Sequence, residues 1–389
     1  MSFTMQNYDL RNTFNIEKSL LLFSGFYPRR DKKNNCLYTF SALFHTCVLY
    51  AQLLSMLIQL ILERDDLSKV SETLHYFVTH VTFLYKLKNF TSRGKNLLNI
   101  EDTLTLPVFY GFSFDQLRQL KREMDDCKTV GKVFRVTCVG AVALYGMVPF
   151  LDKNKSMSLP LPGWIPDKVI GKYYHATFLF QMTAVTMTAY VNSTIDILTW
   201  MLMTVGSAQF NILKENLKNI DYRSEGNDKQ SKIIERNFNK CVKHHKAIVE
   251  FVYKIEYTFS NGIFLQFFAS VIVICATGFL MIIVPIPSVQ FGLLATYFIC
   301  MMCQVAMYCW YGHIVMTTSD QIGRFVYMSN WYESDLPIRK NLTIFLERTK
   351  KPVILTAGKF VALSLTTLTA ILRSSYSYFA VLRRLYNDS

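Results

Sequence analysis

The amino-acid sequence predicts an all-α membrane protein with seven transmembrane helices, and three observations support this prediction. Apolar residues make up 51% of the 389 residues, and aromatic residues make up 14%. Several apolar runs reach the roughly 20 residues that cross the ~30 Å hydrocarbon core of a bilayer. Basic residues collect on one side of these runs. The predicted spans cover residues 37–62, 70–88, 132–151, 174–205, 258–284, 290–317 and 353–382.

The distribution of Lys and Arg gives the predicted orientation. With the basic residues at span ends counted in the adjoining loops, 31 of the 42 lie on one side, eight lie on the other and three lie within spans. Because cytoplasmic loops are enriched in Lys and Arg, we expect a cytosolic N-terminus and an extracellular C-terminus. The net charge of +14 is then explained by the basic residues of the cytosolic loops. We therefore do not expect a nucleic-acid partner.

The second span is the most polar of the seven, and without it the N-terminus would lie outside. The basic residues Arg29, Arg30, Lys32 and Lys33 directly before the first span favour a cytosolic N-terminus and therefore seven spans. The predicted segments are a cytosolic N-terminus (1–36), spans one to four (37–205), a cytosolic helical loop (206–257), spans five and six (258–317), further cytosolic helices (318–352) and the last span with a short extracellular tail (353–389).

The loop at 152–173 lies on the predicted outer side. It places Pro160, Pro162 and Pro166 around Trp164, so it cannot form a regular helix. We interpret it as a lid over the helix bundle. The sequon that begins at Asn154 lies in this loop and is a predicted glycosylation site.

The fourth span is too long for a bilayer, because residues 174–205 would run ~48 Å as a helix. We place Asp196 at its inner edge, where water can reach it. Amphipathic stretches at 233–257 and 336–348 predict helices that project into the cytosol and pack on each other, with ordinary surface helices as the alternative. The His244-His245 pair in the first stretch is expected on a solvated face.

The seventh span is rich in small and hydroxylated residues, which line helix contacts or water-filled paths. With Lys359 at the inner edge, Arg373 lies ~21 Å further along the helix. An arginine at that depth is a candidate functional residue. The alternative is an arginine that is buried against neighbouring helices or extends outward to the interface.

The outer halves of spans two, three, four and six combine aromatic rings with a few hydroxyls and one amide. A pocket for a small apolar molecule needs this combination of dispersion contacts and one or two hydrogen bonds, and packed bundle core is the alternative. The predicted ligand-binding residues are His75, Tyr76, Thr79, His80, Ala141, Leu144, Tyr145, Val148, Tyr174, Thr177, Phe178, Gln181 and Tyr297.

Motifs of enzymes and metal sites are absent from the sequence. It contains no Gly-x-Ser-x-Gly, no His-Glu-x-x-His and no Gly-rich phosphate loop, and Cys300-x-x-Cys303 has no second pair at ligand spacing. We therefore expect no enzymatic activity, no cofactor and no metal. A G-protein-coupled receptor is the alternative seven-span class. Its charge bias would be reversed, and neither Asp-Arg-Tyr in span three nor Asn-Pro-x-x-Tyr in span seven is present.

Four segments occur in an order and topology shared with a known family. They are the outer loop 159–166, the run Tyr308-Cys-Trp-Tyr-Gly312 with Ser319, Tyr327 and Trp331 after it, the run Leu355-Thr-Ala-Gly-Lys-Phe360, and residues 374–382. Through these segments the chain resembles the insect odorant receptor family from about residue 37 to residue 386.

The resemblance implies an odorant-specific subunit of a ligand-gated, nonselective cation channel. Such subunits form tetramers with a shared co-receptor in the lipid of the plasma membrane, in the dendrites of olfactory sensory neurons. The resemblance also implies that the inner helices form a cytosolic anchor domain and that the end of span seven lines the pore. A match to Tyr378-Phe-Ala-Val-Leu382 places the hydrophobic gate at Val381, with Tyr378, Arg384 and Leu385 as further pore residues.

The resemblance favours a tuning subunit over the co-receptor itself. The second inner loop has only about 50 residues and lacks the long insertion that the co-receptor carries. The co-receptor has a glutamine where Arg384 stands. A cation in a cation pore fits a subunit that is diluted among co-receptors better than one that forms a pore alone.

Overall fold

The computed structural model describes residues 9–30, 36–110, 112–151, 159–223, 228–286 and 288–388. They are predominantly helical, which confirms the predicted all-α class. The elements are α1 (Asn15–Phe23), α2 (Cys36–Leu62), α3 (Leu67–Ser92), α4 (Gly94–Thr103), α5 (Phe114–Leu151), α6 (Asp167–Lys218), α7 (Asp228–Ile283), α8 (Val289–Tyr327), α9 (Leu336–Thr349), β1 (Thr356–Ala357), β2 (Val361–Ala362) and α10 (Leu365–Asp388).

The first six predicted spans fall on α2, α3, α5, α6, α7 and α8, in that order. Within the described ranges, α2, α5 as far as Met147, α7 and α8 are long and apolar enough to cross a membrane by length and composition. The long helices α3, α6 and α10 are less apolar. Their polar side chains therefore need partners inside the protein or contact with water.

Helix α6 is the centre of the bundle. Every residue from 193 to 210 is buried, so this stretch is covered on all sides by α5, α7 and α8. The ring of Trp200 shows how tightly the neighbours approach: its centroid lies 5.1 Å from that of Phe134 on α5 and 5.9 Å from that of Tyr308 on α8. The central helix therefore fixes where its neighbours can lie.

The predicted stretch at 233–257 and the fifth span form a single helix, the 56-residue α7. The predicted stretch at 336–348 is helix α9, which packs across α7 through Phe345. The ring of Phe345 lies 5.3 Å from His245, and His244 Nε2 lies 2.8 Å from Gln209 Oε1 on α6. The expectation of a solvated face for the two histidines is wrong, because α6 and α9 bury both of them.

The seventh predicted span is not helical in its first part. Strands β1 and β2 form an antiparallel hairpin in which Thr356 pairs with Ala362, and α10 begins only after it. At the hairpin turn, Gly358 and Lys359 have φ values of 61° and 66°. Two consecutive left-handed residues cannot belong to a right-handed helix, so the prediction of a helix from residue 353 is wrong here.

Hydrogen bonds to α7 hold the hairpin in place. Ser260 Oγ donates to Thr356 O at 2.7 Å, and Gly358 N donates to Ser260 O at 3.1 Å. Because Lys359 lies in the turn, the predicted axial distance of ~21 Å between it and Arg373 does not hold. Arg373 is exposed on α10 rather than buried against neighbouring helices.

The N-terminal helix α1 is tied to the bundle by carboxylates. Glu101 on α4 accepts hydrogen bonds from Lys18 Nζ at 2.8 Å and from Tyr27 Oη at 2.6 Å. Glu17 on α1 pairs with Arg135 on α5 at 3.0 Å, so Arg135, which the sequence places within span three, has a partner from the N-terminal segment. These contacts hold α1 against α4 and α5.

We expect the buried histidines to make the stability of the region where α7 packs against α6 and α9 depend on pH. Burial lowers the pKa of His244 and of His245 to about 4; the neighbouring His245 adds to the lowering for His244, and the charge of Arg348 adds to it for His245. The unfolded chain, with a histidine pKa near 6.5, gains protons first as the pH falls. The free energy of unfolding should therefore drop by roughly 2 kcal/mol per histidine between pH 7 and pH 5.

Thermal unfolding of the purified protein at both pH values measures this dependence. His245→Phe keeps a ring against Phe345 and should remove about half of it. His175→Phe, at an exposed position, is the control. An unchanged pH dependence in His245→Phe would contradict the assignment.

Candidate functional site

A cavity of about 110 Å³ lies among α2, α3, α5, α6 and α8. An engineered protein cavity of about 150 Å³ is known to accommodate benzene, so this space suits a small molecule after modest side-chain movement. Its walls are mainly apolar. The lining residues are Gln52, Met56, Tyr76, Thr79, His80, Phe134, Cys138, Ala141, Val142, Tyr145, Leu161, Val185, Thr188, Ala189, Asn192, Ser193, Tyr297, Cys300, Met301 and Gln304.

Six residues that the sequence singled out line this cavity. The rings of Tyr76, Tyr145 and Tyr297 cluster on one wall: the centroid of Tyr76 lies 5.6 Å from that of Tyr145 and 5.8 Å from that of Tyr297. Thr79 Oγ1 forms a hydrogen bond with Tyr297 Oη. Offset and edge-to-face rings of this kind present both apolar faces and polar edges to a neighbour. The six are Tyr76, Thr79, His80, Ala141, Tyr145 and Tyr297.

The structure places other predicted residues outside the cavity wall. His75 is buried behind it, with its ring 5.3 Å from Tyr297, and Leu144 is 45% exposed on the outer face of α5. Tyr174 and Phe178 form a ring pair near the start of α6, and Thr177 Oγ1 donates to its own helix at 3.1 Å. The side chain of Val148 lies outside the described residues.

Gln181 supports the lid instead of lining the cavity. Its Oε1 accepts from Leu161 N at 3.3 Å, and its Nε2 donates to Leu161 O at 3.2 Å. Trp164 and Ser55 exchange a second pair of bonds, at 3.0 and 2.9 Å, which ties the loop to α2. Leu161 then closes the cavity from above. The predicted glycosylation site Asn154 lies outside the described residues.

Sequence reasoning missed the inner part of the cavity. Continuing the buried face of α6 past Gln181 at helical spacing would have reached Val185, Thr188 and Asn192. On α2, Gln52 is one of a few strongly polar residues in a mainly apolar span, with His45 and Gln59, and such residues tend to face inward. The cavity is also lined by Cys138, Cys300 and Phe134. Their positions in the wall depend on helix packing, so no sequence pattern could have predicted them.

The floor of the cavity is a buried polar network around an ion pair. Lys86 on α3 pairs with Asp196 on α6, with side chains 5% and 0% exposed. Lys86 Nζ also donates to Asn192 Oδ1 at 2.9 Å, and Asp196 accepts hydrogen bonds from Gln304 Nε2 and Tyr308 Oη. The expectation that water reaches Asp196 is wrong, because these partners allow both charges to be buried.

The network joins four helices, since Gln266 Nε2 on α7 donates to Gln304 Oε1 at 2.9 Å. Asn192 and Gln304 also line the cavity, so the network forms part of its wall. Among the described residues, no group of three or more His, Cys, Asp or Glu side chains could hold a metal ion. The site therefore offers shape, aromatic contacts and hydrogen bonds.

The predicted pore residues lie on α10, away from the cavity. Tyr378 and Val381 are 61% and 56% exposed, and Arg384 is also exposed. Leu385 is on the same helix, but its side chain lies outside the described residues. The exposed side chains of Tyr378 and Val381 are available to a neighbouring molecule, lipid or water.

Comparison with known proteins gives consistent results. The family profile described as "7tm Odorant receptor" matches residues 66–376. Odorant receptor Or1 of Anopheles gambiae is 24% identical over 98% of this chain and 97% of its own length. Odorant receptor 46a, isoform B, of Drosophila melanogaster is 22% identical over 88% of this chain and 89% of its own length.

The solved structure of the insect olfactory receptor OR5 from Machilis hrabei in complex with eugenol has the same fold. It superposes with a TM-score of 0.85 at 15% identity, over 97% of this chain and 98% of that chain. The structure of the same receptor described without eugenol gives a TM-score of 0.84.

We expect the buried ion pair to be strongly coupled. Lys86→Met alone, or Asp196→Asn alone, leaves one buried charge without its partner and should lower the free energy of unfolding by about 3–5 kcal/mol. The double variant removes both charges and should lose much less than the sum. Thermal unfolding of the four proteins measures the coupling. Glu333→Gln, in the exposed pair with Arg223, is the control and should cost under about 1 kcal/mol. Additive losses would contradict the coupling.

Proposed function

The chain belongs to the 7tm odorant receptor family, and we propose that it is the odorant-binding subunit of a ligand-gated, nonselective cation channel. A small volatile molecule binds in the cavity and opens a pore formed with co-receptor subunits in the plasma membrane. The observation that carries this proposal is the mainly apolar cavity between the helices, with its aromatic wall and the loop residue Leu161 against it. A site with these properties binds small uncharged molecules by dispersion contacts.

The sequence of α10 supports a pore-lining role for this helix. Six exposed residues recur at spacings of three or four and fall on one stripe: Thr366, Ala370, Arg373, Ser377, Val381 and Arg384. A stripe with two arginines and two hydroxyls is costly against lipid, so water or another subunit has to face it. Val381 is its one large apolar member and suits a constriction that closes by dewetting.

The two arginines on this stripe support a mixed assembly. In a tetramer of this chain alone, four copies of Arg373 and four of Arg384 would surround the axis and repel cations. Co-receptor subunits that lack these charges would dilute them. We therefore propose a heteromeric tetramer with the co-receptor as the form that conducts. The cytosolic parts of α6, α7 and α9 then serve as the anchor domain that holds the subunits together.

Helix α8 connects the cavity to α10. It supplies Tyr297 and Gln304 to the cavity, and further along it Gly312 packs directly on Leu363, just before α10. A Cβ at Gly312 would lie 2.3 Å from Leu363 Cβ, so no other residue fits this contact. A ligand that favours one position of α8 would shift α10 with it. Binding must be tighter in the open state to have this effect.

Whole-cell currents with and without an insect odorant co-receptor test the proposal, with G-protein signalling blocked. Ala141→Trp should fill the cavity and weaken the response to an active volatile about tenfold or more. Leu144→Trp, on the exposed face of the same helix, is the matched control and should respond normally. A current that survives Ala141→Trp unchanged would contradict the cavity as the binding site. A response that requires G-protein signalling would favour a metabotropic receptor.

The gate can be tested in the same cells. Val381→Ala should raise the current measured without odorant, because a smaller apolar side chain leaves a wider and more easily wetted constriction. Val353→Ala, the same substitution ahead of the hairpin, is the control. Unaltered basal current and conductance in Val381→Ala would count against a pore position for this residue.

A further inference from the structure

Gln52 is an unusual residue on α2. Most of this helix faces away from the fold, and its inward face consists of His45, Leu49, Gln52, Ser55 and Met56. Gln52 is 1% exposed and lines the cavity together with Met56. An amide in this position is surrounded by a wall that is otherwise mainly apolar.

The amide of Gln52 has no hydrogen-bond partner among the described residues, for either its nitrogen or its oxygen. The other amides nearby are bonded. Asn192 Oδ1 accepts from Lys86, Gln304 is bonded through both amide atoms, and Gln181 is bonded twice to Leu161. A buried amide without partners is costly, so it needs a reason to be there.

The polar groups around Gln52 are already committed to other partners. His80 Nε2 lies 2.9 Å from Leu49 O, and Ser55 Oγ donates to Trp164 O at 2.9 Å. The lid passes close above: a Cβ at Gly163 would lie 3.5 Å from Gln52 Nε2. The amide of Gln52 therefore keeps its N–H donors and its acceptor oxygen free at the lid end of the cavity; on the aromatic wall of the same cavity, Tyr145 Oη also has no partner.

We propose that Gln52 determines ligand specificity by hydrogen bonding to the hydroxyl group of a small, otherwise apolar ligand. This inference rests on the proposed function of the cavity. A hydroxyl both donates and accepts, so it can use either the oxygen or the nitrogen of the amide, whereas a carbonyl can use only the nitrogen and a hydrocarbon can use neither. The volume of about 110 Å³ limits the rest of the ligand to about one small ring or a short chain.

Phenol and toluene form a suitable pair of probes, because they have similar shapes and differ in the hydroxyl. Binding to the purified full-length protein is measured by ligand-dependent thermal stabilisation, which does not require channel activity. We expect the wild type to bind phenol about tenfold more tightly than toluene, as one satisfied hydrogen bond predicts. Gln52→Leu should remove this preference by weakening phenol binding and leaving toluene binding unchanged or tighter.

Two further variants guard against a trivial result. Gln52→Met has nearly the volume of glutamine and should also lose the phenol preference. It provides the same test if Gln52→Leu folds poorly. Both should be at least as stable as the wild type without ligand, since they remove an unpartnered buried amide. Gln181→Leu is the matched control. It loosens the lid and should weaken the binding of phenol and of toluene to the same extent, so the ratio of the two affinities stays unchanged.

The outcomes separate this inference from the proposed function. If Gln52→Leu keeps the phenol preference, or if the wild type binds both probes equally, Gln52 is not the specificity residue, while the cavity remains a ligand site. If neither probe stabilises the wild type, the inference and the ligand-binding role of the cavity are both overturned. Loss of the preference in both Gln52 variants but not in Gln181→Leu supports the inference.

Discussion

The ion pair between Lys86 and Asp196 is the constraint on which the rest of the bundle depends. Two charges can be buried in an apolar bundle only if their remaining hydrogen-bonding capacity is met. Asn192 on α6 and Gln304 and Tyr308 on α8 meet it. Apolar side chains tolerate sliding of one helix against another, whereas this network has one good alignment. It therefore sets the register of α3, α6 and α8 and, through them, the shape of the cavity above it.

The sequence was sufficient for the helical class and for the positions of six long helices, because the long apolar runs that a bilayer demands can be read from composition alone. It failed at the start of the seventh span. Residues such as Leu363 and Thr356 are as acceptable in a helix as in a hairpin. The hairpin is favoured here by a hydrogen bond from Ser260 on α7, which is far away in the chain. A contact of that range leaves no periodic signal.

The candidate site was predictable in part for a similar reason. Tyr76, Tyr145 and Tyr297 are polar-edged rings in apolar spans, which marks them as inward-facing. Whether an inward-facing residue meets a cavity or another side chain depends on the packing of neighbouring helices. Gln181 illustrates this limit: it is as buried as Gln52, but the lid backbone takes up its amide, and only the three-dimensional arrangement distinguishes the two.

Helix α7 has a mechanical consequence. Its 56 residues would reach about 84 Å in one uninterrupted rod, from the inner helices to the outer edge of the bundle. If one end of α7 is held fixed, the helix behaves as a stiff rod that is anchored at that base. Small rotations at the base would become larger sideways displacements at the tip, where α10 leans on it through Phe379 and Gly278. The stiffness of this one helix would then decide how far α10 moves for a given rotation at the base.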